Sequence, residues 1–375
     1  MDSIKEKLLH NNISKELLLK INDHLDKIVR PSILITSHRM TDSIISNGIQ
    51  QLYQDKINFI HTLSSPICYT AKSDIDKIIN WSQDSKNIIC LKDGFEDLIK
   101  LQMYLSRTTQ DLTNIKFINR EIEGLKIAKD NPERKVILVS SGFETEIPNI
   151  AGCILEAKKD SISNMYVLLL NKLIIPAIKN LLNRPIKIDS YIAPGDISIV
   201  VGLKTFEFIT NEYKKPVSIG GFDAISILCS IESVLNMLVN KEVKIINNYS
   251  NLVNQAGNQL AQEKMYEVLT PKTIEWEGYG LIPFSGLTFT SEYSTFDALN
   301  KFEHLESELL PGDCICKNIL AAKSLPANCN LFKNECTPEK PRGLCMMLKE
   351  GLCSIVYNSE TRVIPDVESY SRLID

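Results

Sequence analysis

The residues with the most specific chemistry lie near the end of the sequence, where six cysteines fall within forty residues. They are Cys314, Cys316, Cys329, Cys336, Cys345 and Cys353. Thiolates are soft ligands that suit iron–sulfur clusters, zinc and copper. The other four cysteines of the chain are spread over the preceding 313 residues. This uneven distribution indicates a metal or cluster site in the cysteine-rich block.

The spacing within this block favours a cluster over zinc. Structural zinc sites usually contain two C-x2-C pairs, often with histidine, whereas this block has one C-x-C pair and no histidine. Cys316, Cys329, Cys336 and Cys353 are separated by 12, 6 and 16 residues, which suits a cluster held in loops. Interleaved prolines and glycines would turn those loops. The alternative interpretation is a set of reduced, partly buried thiols in a small domain.

Composition limits the classes of function. With 44% hydrophobic residues, 23% charged residues and a net charge of -4, the chain is typical of a soluble globular protein. Lysine and arginine are scattered, whereas phosphate binding needs a dense basic surface, so we expect no nucleic-acid partner. No apolar run reaches the roughly 18 to 20 residues of a spanning helix, and the charged start resembles no signal peptide. We expect a cytoplasmic protein without membrane association or a disulfide framework.

The spacing of apolar residues predicts an α/β fold with parallel sheets. Residues 1–30 have the three-and-four spacing of an amphipathic helix. Short β-branched runs then alternate with helical stretches up to about residue 240, as in βαβ units. The runs are SILIT, INFI, NIICL, IKFIN, KVILVS, MYVLLL, YIAP and VSIGG. We predict two parallel-sheet α/β domains at 31–125 and 126–260, after the helical segment, and a loop- and helix-rich iron–sulfur domain at 261–375.

The order of residues in the cysteine block resembles the C-terminal signature of the HypD family. The matching pattern is Cys–x12–Cys–Asn-Leu-Phe–x3–Cys-Thr-Pro, followed by Glu-Gly-x-Cys. The resemblance implies that the cysteines bind a [4Fe–4S] cluster. Matched residue by residue, the implied cluster and metal ligands are Cys316, Cys329, Cys336 and Cys353. Cys314 and Cys345 lie at positions that the family does not require, and they are the reserve candidates.

Further motifs extend this resemblance over nearly the whole chain. The matching segments include Asn131–Pro148, Ala193–Ser198, Gly221–Asp223, Asn248–Tyr249 and Glu275–Gly286. The resemblance implies a scaffold that works with a small HypC-like chaperone and other maturation proteins. On it a transiently bound iron ion acquires cyanide and carbon monoxide before delivery to [NiFe]-hydrogenase. The resemblance also implies that the cluster supplies or relays electrons, alongside redox-active thiols in the N-terminal domain.

The thiol motifs of that N-terminal domain are degenerate in this sequence. The family's Glu-Val-Cys-Gly-Gly-His-Thr-His motif corresponds to Ile35–Asp42, where Ser37 replaces the cysteine. Its Gly-Pro-Gly-Cys-Pro-Val-Cys motif corresponds to Thr62–Cys68, where Ser65 replaces one thiol and Cys68 remains. A serine hydroxyl stays protonated near neutral pH, binds low-valent iron poorly and forms no disulfide. The cluster site is therefore intact in the sequence, whereas the thiol site is not.

Single residues outside the cysteine block each have a functional and a structural interpretation. Cys68 is the remaining functional thiol or a buried small apolar residue, and its motif favours function. Glu144 follows an apolar strand, where parallel sheets bind ligands, or it is a charge at a helix N-terminus. The resemblance favours function, so Cys68 and Glu144 are the catalytic candidates. Asp196 is a metal ligand or a helix N-cap, and we favour the cap. A Ser37–His38 nucleophile and base is disfavoured, because adjacent strand residues point to opposite faces.

Three functions are compatible with these residues. The first is a HypD-like accessory or scaffold protein that helps to assemble the Fe(CN)2CO centre of [NiFe]-hydrogenase or a related metal centre, using a [4Fe–4S] cluster for electrons. The second is an iron–sulfur electron-transfer protein or oxidoreductase of another pathway that has lost the thiol scaffold site. The third is a zinc-stabilised interaction module. No G-x4-G-K-[ST] phosphate loop is present, so we expect no nucleotide hydrolysis.

Overall fold

Strands and helices alternate along most of the chain in the computed structural model, which describes residues 12–63, 65–92, 95, 99, 112–302 and 314–359. The strands are β1 (Ser32–Ile35), β2 (Asn58–His61), β3 (Asn87–Leu91), β4 (Ile115–Phe117), β5 (Lys135–Ser140), β6 (Met165–Leu169), β7 (Ser190–Pro194), β8 (Val217–Gly220), β9 (Ile245–Asn247), β10 (Leu269–Trp276) and β11 (Gly280–Phe289). The eight apolar runs of the sequence coincide with β1 to β8. The α/β prediction is therefore confirmed.

Helices connect these strands, and short helices separated by turns occur in the cysteine-rich block. The α-helices are α1 (Asn12–Leu25), α2 (His38–Ser46), α3 (Ile49–Tyr53), α4 (Lys72–Ser82), α5 (Glu121–Asp130), α6 (Ile147–Lys159), α7 (Ile174–Leu182), α8 (Gly195–Val201), α9 (Glu207–Asn211), α10 (Ala224–Asn240), α11 (Gln259–Val268), α12 (Ala298–Lys301), α13 (Cys316–Leu320), α14 (Leu344–Met347) and α15 (Leu352–Asn358). Short 3-10 helices lie at Pro66–Tyr69, Leu203–Phe206, Ser291–Phe296 and Pro326–Asn328. In the described part of the chain, no helix has the length and apolar character needed to cross a membrane.

The chain divides into two compact units, and each unit gathers separate stretches of sequence. The described residues of Met1–Ser65, Ile178–Asn258 and Cys314–Asp375 form unit 1. Those of Pro66–Ala177 and Gln259–Asp313 form unit 2. These divisions fall at other places than the contiguous boundaries predicted at 125/126 and 260/261, because strands that are distant in sequence lie side by side in one sheet.

Unit 1 is built on a five-stranded parallel sheet with the order β2-β1-β7-β8-β9. Strands β1, β2, β7 and β8 are buried along their whole length, which explains why they appear in the sequence as continuous apolar runs. Helix α10 packs against α1 and against β8. The chain moves outward in one direction from β1 and in the other from β7. The carboxyl ends of these two strands therefore form the switch point, where open α/β sheets usually bind ligands.

Unit 2 contains a four-stranded parallel sheet with the order β4-β3-β5-β6 and a separate antiparallel hairpin of β10 and β11. The sequence predicts a loop- and helix-rich domain at 261–375. Residues 269–289 instead form this hairpin. Gly278 and Gly280, both with positive φ, make the tight turn between its strands. Glycine and proline obscured the strand alternation in this stretch of sequence.

Candidate functional site

All six C-terminal cysteines lie in the part of unit 1 that is built from short helices and turns. Cys314 precedes α13, and Cys316 is its first residue. Cys329 follows a 3-10 helix, Cys345 lies in α14 and Cys353 lies in α15. Cys336 occupies a turn, where its sulfur accepts a hydrogen bond from the backbone N–H of Arg342 at 3.2 Å. The block thus presents its thiols from loops and helix ends, as the sequence predicts.

A small cavity lies among these thiols, with about 250 Å³ of empty space that includes open solvent. Its lining consists of Cys314, Cys329, Cys336, Cys345 and Cys353 together with Ile319, Phe332, Gly343 and Met346. Gly343 leaves room for sulfur, since a Cβ atom there would lie 2.7 Å from Cys314 Sγ. Gly351 leaves room for the backbone of Cys345, since a Cβ atom at Gly351 would collide with the Cys345 carbonyl group. The side chains around the cavity offer sulfur and hydrocarbon only.

Cys316 lies outside this lining and contacts another thiol instead. Its sulfur is 3.0 Å from Cys345 Sγ. Hydrogen bonds from the thiols of Cys314 and Cys345 hold the pKa of Cys316 well below its usual range. The same hydrogen bonds raise the pKa of the Cys314 and Cys345 thiols, because these thiols are the donors. Cys316 therefore contacts two of the thiols that line the cavity, those of Cys314 and Cys345.

The cysteine block is anchored on the elements that follow β1 and β2. The Thr62 hydroxyl, one residue after β2, donates to the carbonyl oxygen of Leu320 at 2.7 Å. Helix α15, which carries Cys353, packs against α2. Thr62 is the first residue of the second degenerate motif, and α2 contains most of the first motif. Both motifs therefore contact the cysteine block that forms the thiol cavity.

The donor set decides which kind of group this cavity fits. Among the residues that the structure describes, no group of three or more His, Cys, Asp or Glu side chains is placed so that it could hold a metal ion. The cavity offers several buried thiols and no side-chain oxygen or nitrogen. Cysteine thiolates are the usual ligands of iron–sulfur clusters, whereas hard cations require oxygen. In the chemistry of its donor atoms the cavity fits a thiolate-bound cluster, and the cluster itself stays a prediction.

A second feature of unit 1 is an open groove with about 1180 Å³ of empty space. His38, Arg39 and Asp42 of the first degenerate motif line it, together with Phe222, Lys349 and Glu350. Arg39 stacks on the ring of Phe222 at 3.8 Å and lies 3.4 Å from the Asp196 carboxylate. The groove borders the carboxyl end of β1, which places the degenerate motif at the ligand-binding edge of the sheet.

Ser37, a replaced motif residue, and Asp196 both lie at the start of a helix. Ser37 is the N-cap of α2, and its hydroxyl accepts from the backbone N–H of Met40 at 3.4 Å. The preferred N-cap role of Asp196 is wrong, because Pro194 is the cap residue of α8. Asp196 lies in the first turn of that helix, and burial raises its pKa. The sequence located the start of α8 two residues too late.

In unit 2, two motifs meet at the ring of Trp276. Tyr69, the neighbour of Cys68, lies 5.3 Å from Trp276 between ring centroids. Phe143, the neighbour of Glu144, stacks on the same indole at 6.2 Å. Cys68 itself is fully buried. The structure thus brings the Cys68 and Glu144 motifs to the same part of unit 2, and the catalytic role of either residue stays a prediction.

Glu144 is a buried carboxylic acid in the turn after β5. Its Oε1 accepts a hydrogen bond from the backbone N–H of Ile174 at 2.9 Å, at the start of α7. Burial raises its pKa to about 7. Lys172, which lies shortly before Ile174 in the sequence, is also buried, and burial lowers the pKa of its ammonium group to about 8. Sequence reasoning missed Lys172 and Asn171, although the polar pair between apolar residues in LLLNKLII was the available signal.

Comparison with known proteins decides the family. The family model described as HypD, "Hydrogenase formation hypA family", matches residues 12–360. The chain belongs to the HypD family. It is similar to a putative hydrogenase expression/formation protein of Methanocaldococcus jannaschii, with 29% identity over 92% of this chain and 96% of that protein. It is also similar to the hydrogenase maturation factors HypD of Cupriavidus necator (30% identity, 85% of this chain and 86% of that protein) and Escherichia coli (29%, 84% and 86%).

Because the chain belongs to the HypD family, its motif residues can be compared position by position with those of the family. The cysteine block lies within the matched residues 12–360, and so do both degenerate motifs. The second of these motifs is divided between the units, with Ser65 in unit 1 and Cys68 in unit 2. The HypD match thus covers both the retained thiols and the lost ones.

The raised pKa of Glu144 should make the stability of the protein depend on pH. Between pH 4.5 and about 7 the folded state keeps a proton that the unfolded state releases, so the free energy of unfolding falls as pH rises. A shift of this size corresponds to at most about 3 kcal/mol. Glu144→Gln removes this titrating group. The free energy of unfolding of the variant should therefore rise relative to that of the native protein as the pH rises from 5 to 8.

Urea unfolding at four pH values between 5 and 8 measures this difference. Glu263→Gln is the matched control, because Glu263 is exposed on α11, and its stability should follow the native protein at every pH. A constant difference between Glu144→Gln and the native protein across this range would contradict the buried, protonated state of Glu144.

Proposed function

We propose that this protein is a metallocofactor maturation factor that acts in the formation of [NiFe]-hydrogenase or of a closely related metal centre. The observation that carries the proposal is the match of residues 12–360 to the HypD family, which includes the whole thiol-lined part of unit 1. Its relatives from Cupriavidus necator and Escherichia coli are hydrogenase maturation factors by name. The proposed role is that of an accessory protein in assembly.

The cysteine block would hold a [4Fe–4S] cluster, and three of its ligands would be Cys329, Cys336 and Cys353. All three line the cavity and are buried, which supports ligation by thiolates that are shielded from water. When bound, such a cluster supplies electrons one at a time. The protein's own contribution would be to hold the thiols in place and to exclude water through the apolar side chains of Phe332 and Met346.

The fourth ligand has two candidates. The HypD resemblance nominates Cys316, whereas the cavity supports Cys314, which lines it. Cys345 lines the cavity as well, and the thiols of Cys314 and Cys345 both donate to Cys316. We propose Cys314 as the fourth ligand, because Gly343 leaves room for its sulfur, and Cys316 and Cys345 as the thiols left over.

A small HypC-like chaperone and other maturation proteins of the cytoplasm are the proposed partners. The groove of His38, Arg39 and Glu350 supports this proposal, since it is open and polar and borders the edge of the sheet at which the first motif lies. Charged side chains of both signs line it, which favours a polar protein surface over a membrane or a nucleic acid.

A second function is favoured by the lost thiols. Ser37 caps α2, and Arg39 pairs with Asp196 beside it, so this chain has structural contacts where the family's motif has a cysteine and glycines. These contacts support an iron–sulfur electron-transfer protein or oxidoreductase of another pathway. The two functions differ in whether the protein can replace an established HypD.

Complementation separates these functions. The native chain should restore hydrogenase activity to Escherichia coli cells that lack their own HypD only weakly, because Ser37 and Ser65 cannot act as thiols. The double variant Ser37→Cys/Ser65→Cys should raise that activity at least about tenfold, since it restores both motif thiols. The control Ser190→Cys adds a thiol elsewhere in unit 1 and should leave the activity at the native level. No activity with any of the three chains, at equal protein levels, would favour the second function.

Single serine variants test the proposed ligands. Purified without oxygen, Cys329→Ser should lose most of its iron, sulfide and visible absorbance, because a serine hydroxyl is a poor ligand for this soft centre. Cys314→Ser should lose the same signals if Cys314 is the fourth ligand, whereas Cys316→Ser should keep them.

Cys229→Ser is the control for this series, because Cys229 lies on α10 outside the cysteine block, and it should retain the native iron content. The reverse result, with iron lost in Cys316→Ser and kept in Cys314→Ser, would restore the ligand set that the HypD resemblance implies. Full iron content in Cys329→Ser would refute both sets.

A further inference from the structure

Two segments of unit 2 remain paired beyond the ends of β5 and β6. The backbone N–H of Leu170 donates to the carbonyl oxygen of Ser140 at 2.8 Å, and that of Lys172 donates to Gly142 at 2.9 Å. One step further, the N–H of Ile174 donates to the Glu144 carboxylate at 2.9 Å. Residues 140–144 and 170–174 therefore form a continuous ribbon, which we refer to as the edge ribbon.

The edge ribbon contains several buried polar atoms without a hydrogen-bond partner among the described residues. They are Ser140 Oγ, Ser141 Oγ, Glu144 Oε2, Asn171 Nδ2 and Asn171 Oδ1. These side chains are between 1% and 9% exposed. Buried polar atoms are nearly always paired in folded proteins, and each exception calls for an explanation, such as strain, a catalytic role, an internal water molecule or a bound ligand. Asn171 is the strongest case, because both ends of its amide are unpartnered.

The position of the edge ribbon in the sheet also indicates a ligand. In the order β4-β3-β5-β6, the chain moves outward from β3 in one direction and from β5 in the other. The switch point therefore lies between the carboxyl ends of β3 and β5, and the edge ribbon begins at the end of β5. Ligands of open α/β sheets bind in the crevice at such a point.

The charges around the edge ribbon disfavour an anion. Lys92, just after β3, is already paired with the carboxylates of Glu121 and Glu146. Lys172 is buried and lies under the electrostatic influence of Asp74, and its ammonium group makes one long hydrogen bond of 3.4 Å to Leu170 O. Carboxylates outnumber the cations here, whereas the unpartnered atoms belong to an amide, two hydroxyls and one carboxyl oxygen. An uncharged ligand with donors and acceptors fits this set.

We propose that the edge ribbon is a binding site for a small uncharged molecule with a carboxamide or urea group. The Asn171 side chain would form two hydrogen bonds with such a group, one through its N–H and one through its carbonyl oxygen. The Glu144 carboxyl group would donate through Oε2 to the carbonyl oxygen of the ligand, and the Ser141 hydroxyl would accept from its second N–H.

Gly142 lets the Glu146 side chain pack closely beside Asn171, because a Cβ atom at Gly142 would collide with Glu146 and lie 3.6 Å from Asn171 Nδ2. The proposed site is also independent of the cluster. All the residues involved belong to unit 2, whereas the six C-terminal cysteines belong to unit 1. The site therefore does not depend on the proposed maturation function, and failure of one proposal leaves the other standing.

Ligand-observed NMR with three molecules of the same shape tests the site on the full chain. Acetamide should bind saturably, whereas acetate and acetone should bind at least about tenfold more weakly, because acetate is charged and acetone has no N–H donor. In Asn171→Leu the affinity for acetamide should fall at least about tenfold. In Ser141→Ala, a milder change that keeps the amide, it should fall about threefold.

Ser190→Ala is the matched control, because Ser190 Oγ is a buried, unpartnered hydroxyl in unit 1. This variant should bind acetamide as tightly as the native protein. The proposal is overturned if the native protein shows no saturable binding of acetamide, or if the three molecules bind equally. Undiminished binding by Ser141→Ala and by folded Asn171→Leu would also overturn it, and the unpartnered atoms would then be explained by internal water.

Discussion

The structure of the cysteine block in unit 1 depends on the close approach of its sulfur atoms and backbone. Bringing six thiols into one small region leaves no space for a side chain at Gly343 or at Gly351, where a Cβ atom would meet Cys314 or Cys345. Short helices and turns are the elements that can present several residues to one point from different directions. Contacts with Thr62 and α2 hold the block on the part of unit 1 that contains the parallel sheet.

The two parallel sheets place the remaining polar residues according to one topological rule. Each sheet reverses its strand order once, between β1 and β7 in unit 1 and between β3 and β5 in unit 2. The charged groove of Arg39 borders the first of these points, and the edge ribbon begins at the second. In the groove, Ser37 and Arg39 have become parts of a helix cap and an ion pair. A site of the family can thus lose its thiols while its backbone framework is kept.

The sequence predicted the strands of the sheets because they are buried on both faces and appear as apolar runs, as β1, β5 and β8 do. It could not predict which strands are neighbours, because β1 pairs with β7 across more than 150 residues of chain. The hairpin of β10 and β11 was obscured by Gly278, Gly280 and Pro283. Periodicity detects burial well and pairing partners poorly.

The cysteines of the candidate site were predictable because their spacing is local and their chemistry is distinctive. Which of these cysteines line the cavity was not predictable. Only the side-chain positions show that Cys314 lines it and that Cys316 does not. Asn171 and Lys172 carried no motif, and their unsatisfied burial is visible only in three dimensions. Glu144 was recognised from its position after β5, whereas its contact with the start of α7 depends on how the strand ends pair.

Mössbauer spectroscopy of the ⁵⁷Fe-enriched protein, purified without oxygen, shows whether the thiol cavity binds a [4Fe–4S] cluster. We expect the iron to lie in one [4Fe–4S] cluster, with matching sulfide and no stoichiometric zinc. A colourless protein with one zinc ion per chain would contradict it, and the cysteine block would then be a structural zinc domain without redox chemistry.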